Sequence, residues 1–419
     1  MALPFFREFG WEPLVLRVDP AQDFGFQDTE IGRTIPDYLQ TWQAGCIPLS
    51  FTAWAGLRSG SIRSIFHLAR LGDHIIRQEK PQAIFFSTTM FPVMTLGRYW
   101  HKRHGLPYVL DFQDPWRKER KAEAKNHKSE SKAGCPPNFK ARLADVVAGI
   151  LEPFALRRAA HVVSVSPAYP VMLRNRYAWL GEKDFTVLPF GAAAADYEIL
   201  RANPVRQNIF NPSDGRRHWV YVGACIPKMS FAVRAFFMAL KKLFKQQPAM
   251  RKELRIHFIG TSYAPKEHAT KTVEPLADEF GLGDIVSEIT GRIPYFEALQ
   301  CLLDADALFV PGSIDPGYTA SKLYPYILAR KPLLAVFHAQ SSVVEILKNT
   351  KAGTVVAFGS GESVERVSER IVATNWLQTT NSEIPATDWK EFEPYSAREM
   401  TRKLCEVFDK TATGKVPNE

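Results

Sequence analysis

Short apolar runs alternate along this chain with longer stretches whose apolar residues return every third or fourth position. In the first half, PLVLRV (Pro13–Val18), PQAIFFST (Pro81–Thr88), PYVLDF (Pro107–Phe112), HVVSVS (His161–Ser166) and FTVLPFG (Phe185–Gly191) predict strands. These runs are continuous rather than alternating, the pattern of strands buried on both faces of a parallel sheet. Ser64–Lys80 and Val93–Gly105 have helical spacing, and a glycine closes the second. Residues 21–60 are rich in Trp, Gly and Pro and read as irregular. The second half repeats the scheme with HWVYVGA (His218–Ala224), LRIHFIG (Leu254–Gly260), DIVSEITG (Asp284–Gly291), ADALFVPG (Ala305–Gly312) and PLLAVF (Pro332–Phe337), each followed by a helical stretch. Ser230–Phe244 is the most regular of these, with Ser230 placed as N-cap. Pro394–Lys410 predicts a terminal helix, and Thr411–Glu419 a loose tail.

The pattern predicts an α/β protein of two doubly wound, Rossmann-like domains. The 419 residues exceed what one core supports. The polar stretch Asn203–Arg217, with Pro204, Pro212 and Gly215, reads as the linker. The expected division is 1–202, 203–393 and a terminal piece 394–419. Ligands of such sheets bind at the carboxyl ends of the strands, so two in tandem predict a cleft between those ends.

Composition narrows the class. At 46% hydrophobic and 23% charged the chain is an ordinary folded one. Five scattered cysteines form no CxxC or Cys/His cluster, which fits a reducing, cytoplasmic setting without structural zinc. The net charge of +9 points to anionic partners. No RRM, KH or zinc-finger signature is present, so nucleic acid is not an expected partner.

Candidate chemistry sits after the strands. In Pro311–Pro332, Gly312 and Gly317 permit a tight loop before a helix expected near Ser321. The helix N-terminus and Lys322 would together hold an anion, although a solvated loop lysine is the plain alternative. Val222–Ser230 has the same layout, with Gly223 at the strand end and Lys228 in the loop. A second cation there would clamp a diphosphate, unless it too is an ordinary loop lysine. Gly291, Arg292, Ile293 and Pro294 form a turn whose backbone would read a nucleobase, or merely join strand to helix. Asp111 and Asp114 follow another strand. Asp114 would orient an acceptor hydroxyl or act as base, and Asp111 would do so or cap the loop. Arg117–Lys140 holds eight Lys or Arg against three Glu, a solvated loop or a contact for an anionic membrane.

In order along the chain, GWEPLVL, PQAIFFST, PYVLDFQDPW, RRAAHVVSVSPA, VLPFGAAAADYE, VGACIPKMS, TGRIPYFEALQCLLDADALFVP and SKLYPYILARKPLLAV resemble the family 4-like glycosyltransferases of GT-B type. The resemblance covers nearly the whole chain. It implies transfer of a sugar from a UDP- or GDP-sugar, usually with retention and without a metal or other cofactor. The acceptor would be a glycan, a lipid-linked sugar or a small molecule, and an acceptor-side basic insertion would touch the inner membrane face. It places Lys228 and Lys322 on the donor diphosphate and Arg292–Pro294 near the base. Three positions depart from the family. Pro325 stands where a glutamate is usual, Gly317 replaces its partner acid, and Arg330 replaces the glycine before Lys331.

The chain begins inside what the family would make its first helix. The first strand, central in such a sheet, has no counterpart, which predicts two unpaired strand edges and suggests a misassigned start or a fragment. A non-catalytic GT-B protein that binds a nucleotide sugar or a partner enzyme is the competing reading. An epimerase of the same fold ranks behind both, because His161, His218 and His257 lie in strands and read as core.

Overall fold

The computed structural model describes residues 1–22, 28, 30–52, 59–117, 139–264, 268–318, 321–378 and 384–413. As far as their residues are described, Phe5–Gly25, Asp37–Pro189 and Thr401–Glu419 form an N-terminal unit. Met1–Pro4, Phe26–Pro36 and Phe190–Met400 form a C-terminal unit.

The N-terminal unit holds two parallel sheets. β1 (Leu14–Val18) pairs with β2 (Gln40–Ala44), Leu16 opposite Trp42. β3 (Ile84–Ser87), β4 (Tyr108–Phe112), β5 (His161–Ser164) and β6 (Phe185–Val187) pair in sequence order. Among the described residues no strand joins the two sheets, so β1 and β3 each keep one unpaired edge. β2 falls in the stretch expected to be irregular. QTWQA buries only Ala44 fully, and so lacks the apolar run that marks a strand.

The core of this unit packs around β4, where Tyr108, Leu110 and Phe112 are fully buried. The Tyr108 hydroxyl donates to the Ala155 carbonyl at 2.7 Å. Gly105 ends the helix Thr95–His104 with φ 72°, a left-handed conformation glycine adopts without strain. Glu152, on the helix Phe139–Leu156, is buried with its charge matched. Arg176 Nη1 lies 2.6 Å away, the Tyr177 hydroxyl 2.7 Å, and the Arg117 amide 3.2 Å. From the helix Ala397–Thr413, Phe408 packs its ring 5.3 Å from those of Trp11 and Phe85 and 6.0 Å from that of Phe6. Trp11 Nε1 donates to Asp409.

The C-terminal unit contains β7 (Arg217–Val222), β8 (Leu254–Ile259), β9 (Val286–Ile289), β10 (Ala307–Pro311), β11 (Leu333–His338) and β12 (Thr354–Phe358). They form one parallel sheet in the order β12-β11-β10-β7-β8-β9. Every residue of β10 and β11 is buried, as their continuous apolar runs require. β12 is an additional strand at the sheet edge. Helix Ser230–Gln246 directly follows the short turn Pro227–Met229, so Ser230 is its first helical residue and Met229, not Ser230, stands at its N-cap; the Ser230 amide instead closes the turn by donating to Pro227 O.

The units divide at Pro189/Phe190, not at 202/203. Tyr197 and Leu200 of the helix Ala194–Ala202 belong to the C-terminal unit's core. Ala192 N donates to Tyr395 O at 2.7 Å, and Ala397 N returns a bond to Ala192 O. The piece 394–419 is divided too, between Met400 and Thr401. Among the described residues no helix is long and apolar enough to cross a membrane.

Candidate functional site

In the C-terminal sheet, strand order reverses between β7 and β10. A ligand of such a sheet binds at the carboxyl ends of the two strands flanking that reversal. The loops that leave those ends are laced together by backbone bonds. Cys225 N donates to Thr261 O at 2.9 Å, Ile314 N to Lys228 O at 3.0 Å, and Ser262 N to Thr290 O at 3.1 Å.

Lys322 occupies the reversal point. Its ammonium donates to the Tyr221 hydroxyl and to the Ala224 carbonyl, both at 3.0 Å, and lies 5.4 Å from the Tyr221 ring centre. The lysine stem crosses Gly223. A Cβ at position 223 would lie 2.4 Å from Lys322 Cε, and φ there is 143°. A side chain at 223 and the observed lysine exclude each other. Tyr326 fixes the strand end below, its hydroxyl donating to Val222 O at 3.0 Å and accepting from Val222 N at 2.5 Å. Tyr221 in turn donates to Ala224 O at 2.7 Å.

Among the described residues, the Lys322 ammonium contacts a hydroxyl and a carbonyl and pairs with no carboxylate. Burial lowers its pKa to about 8, against a small opposing effect from the Cys225 thiol. The thiol is itself pushed up to about 12 by burial, so it is not a thiolate at neutral pH.

The helix expected at Ser321 is shorter than the sequence suggests. It runs over Leu323–Leu328 only, with Pro325 inside it. Six residues offer little macrodipole, so the positive character of this loop rests on Lys322 itself. Ser321 is exposed. Gly317 is exposed as well, and its amide donates to Asp315 Oδ1 at 3.2 Å. Lys228 reaches the same loop and pairs with Asp315 at 3.3 Å, both side chains near half exposed. Pro325, in the place of the family's glutamate, gives its carbonyl to the Tyr197 hydroxyl at 2.6 Å. Arg330 has φ 56°, the conformation its missing glycine would take freely. Its guanidinium lies 4.6 Å from the Trp389 ring centre.

Arg292 is exposed beyond β9, its guanidinium 5.4 Å over the ring of Tyr263, itself 68% exposed beyond β8. Ile293 packs against the core, and Pro294 opens the helix Tyr295–Asp304. The structure thus gathers Gly223, Lys228, Gly317, Ser321 and Lys322 on loops after β7 and β10, and Arg292–Pro294 on the loop after β9. Tyr221 and Tyr263 were not singled out from the sequence. Tyr221 reads there as one more strand residue, and Tyr263 as a loop aromatic.

In the N-terminal unit, Asp111 and Asp114 differ sharply. Asp111 is buried at the end of β4, where burial raises its pKa; Gln113 Nε2 donates to it at 2.7 Å and Ser87 Oγ at 3.3 Å. Asp114 is exposed on the loop that follows. The three strand histidines stay within their sheets. His218 Nδ1 lies 2.9 Å from His257 Nε2, and His161 Nε2 lies 2.7 Å from Thr186 Oγ1. Cys46, Cys225, Cys301 and Cys405 are buried and free, while Cys135 and nearly all of the basic run 117–140 lie outside the described residues.

Two units built on parallel sheets suit the GT-B fold, and solved structures show it. Sucrose-phosphate synthase from Thermosynechococcus elongatus superposes with TM-score 0.56 at 13% identity, covering 96% of this chain and 90% of that one. A UDP-forming trehalose-phosphate synthase from Burkholderia xenovorans gives 0.57 at 12%, covering 85% and 79%. Anabaena HepE, solved with UDP and glucose, gives 0.54 at 12%, covering 94% and 99%. The chain therefore has the fold of nucleotide-sugar glycosyltransferases. No protein-family model matches it, and no curated protein matches it by sequence.

Proposed function

We propose that the chain is a glycosyltransferase that takes a sugar from a nucleoside diphosphate donor, UDP before GDP. The observation that carries this reading is the Lys322 ammonium at the strand-order reversal, held by Tyr221 and Ala224 over a glycine that leaves room for it. A preplaced cation there would stabilise charge developing on the leaving diphosphate. Lys228 would join it by leaving Asp315, and no metal or other cofactor is invoked. Tyr263 and Arg292 offer a ring and a guanidinium to stack on a base. The preference for UDP comes from HepE, solved with UDP-glucose, and from the UDP-forming synthase. Asp114, exposed after β4, is proposed to orient the acceptor hydroxyl. The acceptor class is a glycan or lipid-linked sugar, the latter in keeping with the basic run 117–140.

Thermal unfolding with UDP, GDP, ADP and CDP in turn tests the site. A ligand at about 100 times its dissociation constant stabilises by about 2.7 kcal/mol. A shift with UDP is expected, and its loss in Lys322→Ala would tie it to this lysine. No shift with any of the four nucleotides removes the reading.

The lysine also predicts a pH dependence. With a pKa of about 8 in the empty site, Lys322 sheds its charge as pH rises above that value. A bound anion favours the charged form, so UDP affinity should fall from about pH 7 to about pH 9.5. Lys322→Arg, which stays charged throughout, should flatten that fall. Titration calorimetry across the range decides it, and a flat profile in the unaltered protein contradicts the lysine's role.

A further inference from the structure

Glu288 lies in β9 and is only 4% exposed. A carboxylate taken out of water needs donors around it. Four uncharged donors meet it. Oε1 accepts from the Thr261 hydroxyl at 2.6 Å and from the Thr272 amide at 3.2 Å. Oε2 accepts from the amides of Val273 at 2.8 Å and Glu274 at 3.0 Å. Glu274 returns a bond, its Oε1 accepting from the Glu288 amide at 2.9 Å. A hydrocarbon side chain at 288 would leave three amides and a hydroxyl without this acceptor.

The two oxygens serve different ends. Oε2 closes the start of the helix Glu274–Glu279, which is ordinary capping. Oε1 reaches the loop after β8, where Thr261 is itself buried. Thr261 passes the constraint on, because its carbonyl accepts from the Cys225 amide at 2.9 Å. The Thr272 hydroxyl lies 3.5 Å from the Cys225 carbonyl. Both backbone groups of Cys225 thus meet residues that Glu288 holds. Next to Cys225 is Ala224, whose carbonyl accepts from the Lys322 ammonium at 3.0 Å and from the Tyr221 hydroxyl at 2.7 Å.

We propose that Glu288 is a positioning residue of the donor site: through Thr261 it sets the Cys225 backbone, and with it the Ala224 carbonyl that holds the Lys322 ammonium. This rests on the donor-site reading of Lys322. Placement matters there because a charge stabilises a transition state without reorganisation only if it already stands in the right place. Capping of the helix Glu274–Glu279 would need Oε2 alone. The bonds from Oε1 toward Cys225 are what single out the donor loop.

The Cys225 thiol reports on that loop without any ligand. Cys225 and Cys301 are both buried and free in the C-terminal unit's core. Glu288→Gln replaces one acceptor oxygen by an amino group, which cannot accept from an amide. Alkylation by N-ethylmaleimide, followed at each cysteine by mass spectrometry, should run about tenfold faster at Cys225 and at the parent rate at Cys301. Should Glu288→Gln fold poorly, Thr261→Val removes the hydroxyl alone and should also speed Cys225, whereas Thr261→Ser should restore the parent rate. UDP affinity at pH 7, measured by calorimetry, should fall about tenfold in Glu288→Gln. Its decline with rising pH should begin later than in the parent, because a less buried Lys322 keeps its proton longer. The proposal is overturned if Cys225 reacts no faster in the variants, or if Cys301 speeds up equally, which would mean general loosening. It is overturned too if parent and variant bind UDP alike. A parent that binds no UDP removes the donor reading and this proposal with it, a result distinct from equal binding by both.

Discussion

Exchange of Lys322 for alanine should lower glycosyl transfer by about 10²–10³-fold, the usual effect of removing one preplaced stabiliser of transition-state charge. UDP affinity should fall less, by about 10–100-fold, because a charge-assisted hydrogen bond is worth about 1.5–3 kcal/mol. The difference arises because the leaving diphosphate carries more charge at the transition state than in the bound donor. Release of UDP from candidate UDP-sugars measures the first quantity, and calorimetry the second. Gly223→Ala provides the companion result, since a Cβ there would stand where the lysine stem runs. It should mimic the loss of Lys322 while leaving the lysine in the sequence. Unchanged turnover in both variants would show that the lysine only fills space.

The largest expected loss of stability is at Glu152. Glu152→Ala leaves the Arg176 guanidinium beside a buried void, with Tyr177 and the Arg117 amide deprived of their acceptor. Breaking a buried pair by deleting one partner costs about 3–5 kcal/mol. Urea unfolding followed by tryptophan fluorescence should show an earlier transition of that size. The paired change Glu152→Gln/Arg176→Met should recover much of the loss, because no charge is then stranded. If the single variant unfolds like the parent, the ion pair is ornamental and the helix Phe139–Leu156 is held by its apolar contacts alone.

How much of this was legible beforehand depended on burial. β3 to β11 were predicted within a few residues, because each carries a short apolar run, buried throughout in β4, β10 and β11. β2 was missed because QTWQA buries only one residue fully, whereas β12 was missed although TVVAF is an apolar run like the others. Lys322 was singled out from its place after a strand and before a helix. Its partners were not, because the Tyr221 hydroxyl and the Ala224 carbonyl come from a strand and the loop after it, about one hundred residues earlier in the chain. Pairings of that kind depend on strand order, which local pattern does not encode. The division at 189/190 was invisible for a similar reason. Polar composition pointed to 203–217, but Tyr197 and Leu200 decide where the preceding helix packs.

The placement of the C-terminal helix has a consequence for how the protein is made. Phe408 covers Phe6, Trp11 and Phe85, which are synthesised hundreds of residues before it. At roughly 5–20 residues per second, that part of the N-terminal unit waits tens of seconds for its last packing partner to leave the ribosome. The C-terminal unit meanwhile completes all of its strands. The N-terminal unit is therefore expected to complete its packing after the C-terminal unit's strands are made, with Phe6, Trp11 and Phe85 uncovered until Phe408 emerges. A nascent chain arrested before Phe408 should be cut by protease within the first 90 residues far more readily than the released protein.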